Sequence, residues 1–287
     1  MRKIDLPAHT VADVVVCLEG HIESADLQQR LMDSIVALEA AEATYQVRGE
    51  AEQLYRIAEG KHVGQVTLAE MKDMYGRMSR KGGHARHIYD AIKNLSPRGI
   101  CPLCCQRTVS TLDHYLAKAG HAAFTVTPWN LVPACKDCNT DTKVRKPGTY
   151  SEQTLHPYYD EVDGEIWLCA IIEPTTPPAA SFFVAKPVSW TEEKYQRVRH
   201  HFVTFGLSTL YTTHAAGEIV SYSHAARRVY SSAANAMAGA ADVKAHFIGL
   251  SQDRRAEMKN TWQAALCQAL ADSDWFCAGG FNSTIDP

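Results

Sequence analysis

Apolar residues recur at three- and four-residue steps through the first sixty positions, with Leu27, Leu31, Ile35, Leu38 and Ala41 falling on one stripe. A helix turns once in about 3.6 residues, so this spacing predicts amphipathic helix across residues 10 to 60, as two or three segments. Ser24-Ala25-Asp26 offers an N-cap inside that span. Thr67-Leu68-Ala69-Glu70 fits the capping box and opens a further helix to about Arg80, which Lys81-Gly82-Gly83 breaks. Residues 84 to 95 read as one more helix, and Ser96-Pro97-Arg98-Gly99 as a turn.

Past that turn the period changes. Residues 101 to 157 carry short β-type runs such as Thr108-Val109-Ser110-Thr111-Leu112 and a high density of Cys, His, Asp and Asn. Residues 165 to 172 and 181 to 185 read as two strands of a hairpin, joined by Glu173-Pro174-Thr175-Thr176-Pro177-Pro178. From Thr191 the pattern is helical to about Ser273, with Phe202, Phe205, Leu207 and Leu210 as core residues. The expectation is an α+β chain in three regions: a helical N-terminal region (1–97), a compact chemical region (98–160), and a β-hairpin with helices (161–287).

Composition narrows the class. With 287 residues, 46% hydrophobic and 21% charged, the chain sits among ordinary globular proteins. No apolar run approaches the roughly 18 residues of a membrane span, and the first residues lack the apolar stretch of a secretory signal. A cytoplasmic protein without a membrane partner is expected. A net charge of -3 gives no global attraction to polyanions, so nucleic-acid binding must rest on local cations. Two clusters exist. Lys72, Arg77, Arg80, Lys81, Arg86, Lys93 and Arg98 stand against Asp73 and Asp90, and Lys136, Lys143, Arg145 and Lys146 against Asp137 and Asp141.

Nine cysteines are present, and Cys101, Cys104, Cys135 and Cys138 form two Cys-x-x-Cys pairs. In a reducing compartment such pairs point to metal rather than disulfides, and four thiolates complete a tetrahedral structural zinc with no open position. Cys105 is an ambiguity of ligand choice, but only Cys104 keeps the two-residue gap. Cys17, Cys105, Cys169, Cys267 and Cys277 are expected to be small buried apolar residues. Thirty residues separate the two pairs, more than a compact zinc ribbon needs, so the segment between them is a functional insertion.

That insertion holds Leu112-Asp113-His114, and Asn130-Leu131-Val132-Pro133-Ala134-Cys135-Lys136-Asp137-Cys138-Asn139 closes it. Together with Cys101-x-x-Cys104, this resembles the zinc-containing branch of the HNH, or ββα-metal, endonuclease family. The resemblance covers about residues 98 to 146, with a looser likeness through Tyr158-Tyr159-Asp160. It implies two antiparallel strands on a helix, clasping one magnesium or manganese ion. His114 matches the general base, Asp113 the carboxylate metal ligand, Asn130 the middle Asn that braces the loop and orients the base, and Asn139 the final metal ligand. Two departures stand out: Ala117 where many relatives have Pro, and Cys105 in place of a common Gly. Stand-alone HNH effectors of bacterial antiphage defence look similar in arrangement, which implies double-stranded DNA as substrate and a protein partner such as an ATPase or a retron component.

The chemistry is coherent without the name. Phosphodiester hydrolysis needs a cation on the phosphate oxygens and a base for water. An imidazole, with its ordinary pKa near 6.5, suits the base, and oxygen donors suit a hard divalent ion. Adjacent Asp113 and His114 would face opposite ways on a regular strand, so one of them must lie at a strand end or bulge. Lys143, Arg145, Lys146, Lys81 and Arg86 are the candidate nucleic-acid contacts, and His156, beside a proline turn, is expected to be structural. A double-strand break would need two sites, from a homodimer or two successive nicks. The rival readings are a catalytically silent zinc binding or scaffold module, and a restriction- or homing-type nuclease, for which no DNA-reading element is evident.

Overall fold

The computed structural model describes residues 1–140 and 147–283, apart from the Thr140 side chain. It is an α+β chain of two compact units, Met1–Glu161 and Val162–Pro287. The division falls between Glu161 and Val162, beside the boundary expected after residue 160. The one expected at 97 falls inside the first unit, because a single apolar core runs from Val11, Leu18, Leu31 and Leu38 through Met71, Met74 and Ile88 to Leu112, Ala122 and Leu131.

The first unit opens with α1 (Val11–Glu19), α2 (Ala25–Asp33) and α3 (Ile35–Glu50). Thr10 and Asp13 form a reciprocal capping box at α1, and Ser24 caps α2 through the Leu27 amide, so each start is set by a side chain that satisfies an orphan N–H. A two-residue ribbon follows, β1 (His62–Val63) against β2 (Val66–Thr67). Gly64 in its turn has φ +52 and lies against Ser34, where a Cβ would collide. The expected capping box of Thr67 and Glu70 opens α4 (Leu68–Ser79), and α5 (Arg86–Lys93) follows the glycine break. Then come β3 (Thr111–His114), β4 (Leu131–Ala134) and α6 (Lys136–Thr140). β3 and β4 are antiparallel with Thr111 opposite Ala134 and His114 opposite Leu131, and α6 packs against β3.

A buried carboxyl joins two of these helices. Glu42 on α3 is 5% exposed and accepts a 2.9 Å hydrogen bond from the Val11 amide in the first turn of α1. Burial, reinforced by Asp13 and Glu39, pushes its pKa up to about 7 against the opposing pull of that amide. The folded state thus holds a proton that the unfolded chain releases, between the ordinary glutamate pKa and about 7. Stability from this group is full at low pH and is lost as pH rises through that window. Glu42→Gln keeps an acceptor for Val11 and is expected to stabilise the unit by on the order of 1–3 kcal/mol at pH 8 and hardly at all at pH 4.5. Melts of both proteins at the two pH values check this; equal melting at pH 8 would contradict it.

In the second unit β5 (Leu168–Glu173) pairs with β6 (Ala179–Val184), Leu168 opposite Val184 and Glu173 opposite Ala179, as the hairpin pattern predicted. Ala180, Phe182 and Val184 face inward, while Ser181 and Phe183 face out. Helices α7 (Glu192–Thr204), α8 (Leu207–Ser231), α9 (Ala236–Glu257), α10 (Trp262–Asp272) and α11 (Asp274–Cys277) complete the unit. Phe202, Phe205, Leu207 and Leu210 are buried as expected. Buried Asn260 ties strand to helix, accepting from the Trp167 and Leu168 amides and donating to Asp163 and the Glu165 carbonyl. Among the described residues no helix is long and apolar enough to cross a membrane.

Candidate active site and metal centre

Strand pairing explains how cysteines thirty residues apart meet. Because β3 lies antiparallel to β4, the two ends of the insertion return to one place, sealed by a hydrogen bond from the Ser110 amide to the Ala134 carbonyl (2.9 Å). The sulfurs of Cys101, Cys104, Cys135 and Cys138 are buried and lie within 4.8 Å of one another. Zinc–thiolate bonds of about 2.3 Å place tetrahedral sulfurs roughly 3.8 Å apart, so the cluster could hold an ion such as zinc with small adjustments. Backbone amides support the sulfurs: Arg107 donates to Cys104 Sγ (3.5 Å) and Cys138 to Cys135 Sγ (3.4 Å). Arg107 also pairs with Asp137 at 2.8 Å, joining the two knuckles.

Hydrogen bonds from its neighbours, Cys101 first, hold the Cys135 thiol far below the ordinary range. The same crowding, led by Cys101, pushes Cys138 far above it. Four buried thiols cannot all ionise against one another, and a divalent cation removes that conflict. The donor set therefore fits a closed structural metal site.

Cys105 is not part of the cluster. It is half-buried, its thiol faces the Pro102 carbonyl at 3.6 Å, and its backbone has φ +54. That conformation explains why glycine suits the position, since a Cβ in the left-handed region crowds the following carbonyl. Cys105→Gly is expected to raise stability by about 0.5–1 kcal/mol and Cys105→Val to lower it. Thermal melts that ranked the three proteins otherwise would refute this account. Of the other scattered cysteines, Cys267 and Cys277 are buried as expected, while Cys17 and Cys169 are half-buried.

Asp113 and His114 lie at the far end of the same hairpin, 6% and 7% exposed. His114 is the last residue of β3, which meets the requirement that one of the adjacent pair sit at a strand end. Its Nε2 is 2.9 Å from the Thr125 carbonyl oxygen. A carbonyl can only accept, so Nε2 carries the proton, and in the neutral ring the basic lone pair is on Nδ1. Tyr75 of α4 packs edge-on against this imidazole, with ring centroids 4.4 Å apart.

The loop that presents Thr125 is held by Asn130, which is wholly buried. Its amide nitrogen donates to the Leu116 and Phe124 carbonyls (both 3.0 Å), and its oxygen accepts from the Leu116 amide (2.7 Å) and the Tyr45 hydroxyl (3.1 Å). All four bonding positions of the amide are used, which fits a bracing role. Behind Asn130, the Tyr158 amide donates to His156 Nδ1, so His156 Nε2–H points to the Tyr45 hydroxyl at 3.0 Å. His156 is 1% exposed and packs among these hydrogen bonds.

The remaining sequence candidates are dispersed. Asn139 is exposed on α6, directly after Cys138. Lys81 is exposed in the turn after α4. Arg86 is engaged within its own helix, paired with Asp90 at 2.9 Å and stacked 4.6 Å from the Tyr89 ring centroid. Lys143, Arg145 and Lys146 lie outside the described residues. Tyr75, Tyr45 and Thr125 had no motif to reveal them. Two act as aromatics on helices that read as ordinary amphipathic stripes, and the third acts through its carbonyl.

No family model matches the chain, and no solved structure matches it. It is similar to Protein ea31 of Escherichia phage lambda. The two are 28% identical over 302 residues, spanning 97% of this chain and all of the phage protein. The likeness thus runs through both compact units.

Proposed function

We propose that the first unit is a zinc-stapled HNH nuclease core and that the chain hydrolyses phosphodiester bonds in DNA. One observation carries this reading: a buried His at the end of a strand, with Nε2 donating to a backbone carbonyl and the Nδ1 lone pair thereby defined, beside Asp113 and between two cysteine knuckles. In the reaction His114 Nδ1 takes a proton from the attacking water. Asn130 keeps the loop, and with it Thr125, in place to hold the ring, and the closed cysteine cluster fixes the hairpin ends. Asp113 and Asn139 present oxygen donors of the kind a magnesium or manganese ion takes, and β3 and α6, which carry them, pack together. Such an ion, when bound, supplies charge neutralisation at the phosphate.

The test is supercoiled plasmid incubated with the wild type and Asp113→Asn, each with magnesium, manganese or EDTA. Loss of supercoiled DNA with either metal, none in EDTA, and a rate at least about 100-fold lower for Asp113→Asn are expected. Failure of the wild type on both plasmid and single-stranded DNA would leave a zinc binding module. A role as an antiphage effector with an ATPase or retron partner extends the proposal, and would appear as reduced phage plating that His114→Ala abolishes.

A further inference from the structure

Lys118 lies on the exposed side of the loop that leaves β3, four residues after His114. Its ammonium stands 4.9 Å from the centroid of the Tyr75 ring, the same ring that packs 4.4 Å from His114. Tyr75 is itself tied to β3, its hydroxyl donating to the Leu112 carbonyl at 3.4 Å, two residues before His114. One aromatic side chain from the N-terminal helices therefore contacts both the candidate base and a lysine. The loop is pinned as well: Gly60 donates to the Gly120 carbonyl (2.8 Å), Ala122 to the Gly60 carbonyl (2.9 Å), and Lys61 Nζ to the Ala119 carbonyl (2.7 Å).

The choice of partner for the ammonium is informative. A carboxylate would hold a lysine and cancel its charge, whereas an aromatic face holds it through the ring quadrupole and leaves the charge intact. Glu59 lies on the neighbouring segment, against Gly120. No carboxylate forms an ion pair with Lys118 among the described residues. A cation restrained in this way beside the candidate site is suited to an anion, and the anion of a nucleic-acid substrate is its backbone phosphate.

We propose that Lys118 binds a backbone phosphate of the DNA strand being cut, and that Tyr75 is a positioning residue that sets both this ammonium and the His114 ring. The proposal rests on the nuclease reading and places part of the site on α4, outside the segment that carries the motif. Lys118 belongs to neither basic cluster of the sequence.

The test uses the full chain. Binding of a short DNA duplex is measured in EDTA across a salt series for wild type, Lys118→Met and Lys118→Arg, alongside cleavage kinetics in magnesium. Lys118→Met is expected to bind about 5- to 10-fold more weakly, with a salt slope lower by about one, and to raise KM more than it lowers kcat. Lys118→Arg is expected to restore most of the binding. Tyr75→Leu is expected to lower kcat and alter its pH profile, while Tyr75→Phe, which keeps the ring, restores both. Zinc content and melting temperature, measured on the same samples, exclude misfolding as the cause. Wild-type cleavage with Lys118→Met unchanged in affinity and salt slope would overturn this proposal and leave the nuclease reading intact. A wild type that neither binds the duplex nor cuts would overturn both.

Discussion

Replacing His114 with alanine is expected to lower DNA cleavage by about 10²- to 10⁴-fold, the range that a positioned general base supplies, while leaving the fold and metal content unchanged. The direction follows from the tautomer. With Nε2–H committed to the Thr125 carbonyl, the imidazole presents Nδ1 as its basic atom. The variant loses the hydrogen bond to the Thr125 carbonyl and the edge-on contact with Tyr75. That costs about 1–3 kcal/mol of stability, since the Thr125 carbonyl is left without its donor. Folding should survive such a loss, and the cysteine cluster at the other end of the hairpin is untouched. His114→Asn, which can still donate to Thr125 but has no comparable base, separates positioning from chemistry: it should melt closer to the wild type and cleave as poorly as His114→Ala. Initial rates on supercoiled plasmid, with zinc measured on each sample, decide the matter. A His114→Ala rate within a few-fold of the wild type would assign the base elsewhere.

The second large effect concerns the cysteines. Cys135→Ser, or stripping the metal with a strong chelator, is expected to abolish zinc binding and the cooperative melting of the first unit. Structural zinc contributes about 10–16 kcal/mol in small zinc modules, comparable to or larger than the roughly 5–15 kcal/mol of a whole domain. Without the ion, four buried thiols with their amide supports remain, and the Thr111–Ala134 end of the hairpin has only two short strands to close it. Short hairpins are marginal alone. Cys105→Ser provides the control, because it removes a thiol that faces Pro102 outside the cluster and should keep one zinc per chain. Zinc stoichiometry and circular-dichroism melts read both outcomes. A Cys135→Ser protein with undiminished zinc would show that the four sulfurs do not act as one site.

Much of this architecture can be read from local signals. The cap at Ser24, the capping box at Thr67 and the hairpin of residues 165 to 185 are where short-range rules place them. The boundary at residue 97 is different. The Ser96–Gly99 turn is real, but a turn marks a change of chain direction rather than an end of packing, and Met71, Ile88, Leu112 and Leu131 share one core across it. Arg86 teaches the same lesson for charge: a basic stretch lists cations, and the fold decides which, like Arg86 with Asp90, are already engaged.

For the site, the chain on its own determined the four cysteines, the Asp113-His114 pair and Asn130, because ligand spacing and adjacent donor types are properties of short segments. The tertiary structure alone decided the tautomer of His114, the bracing of its loop through Asn130 and Tyr45, and the placing of Tyr75 and Lys118 beside it. Those contacts join residues up to 85 positions apart. Their partners are backbone carbonyls and ring faces that every sequence contains, so only burial in a common core singles them out.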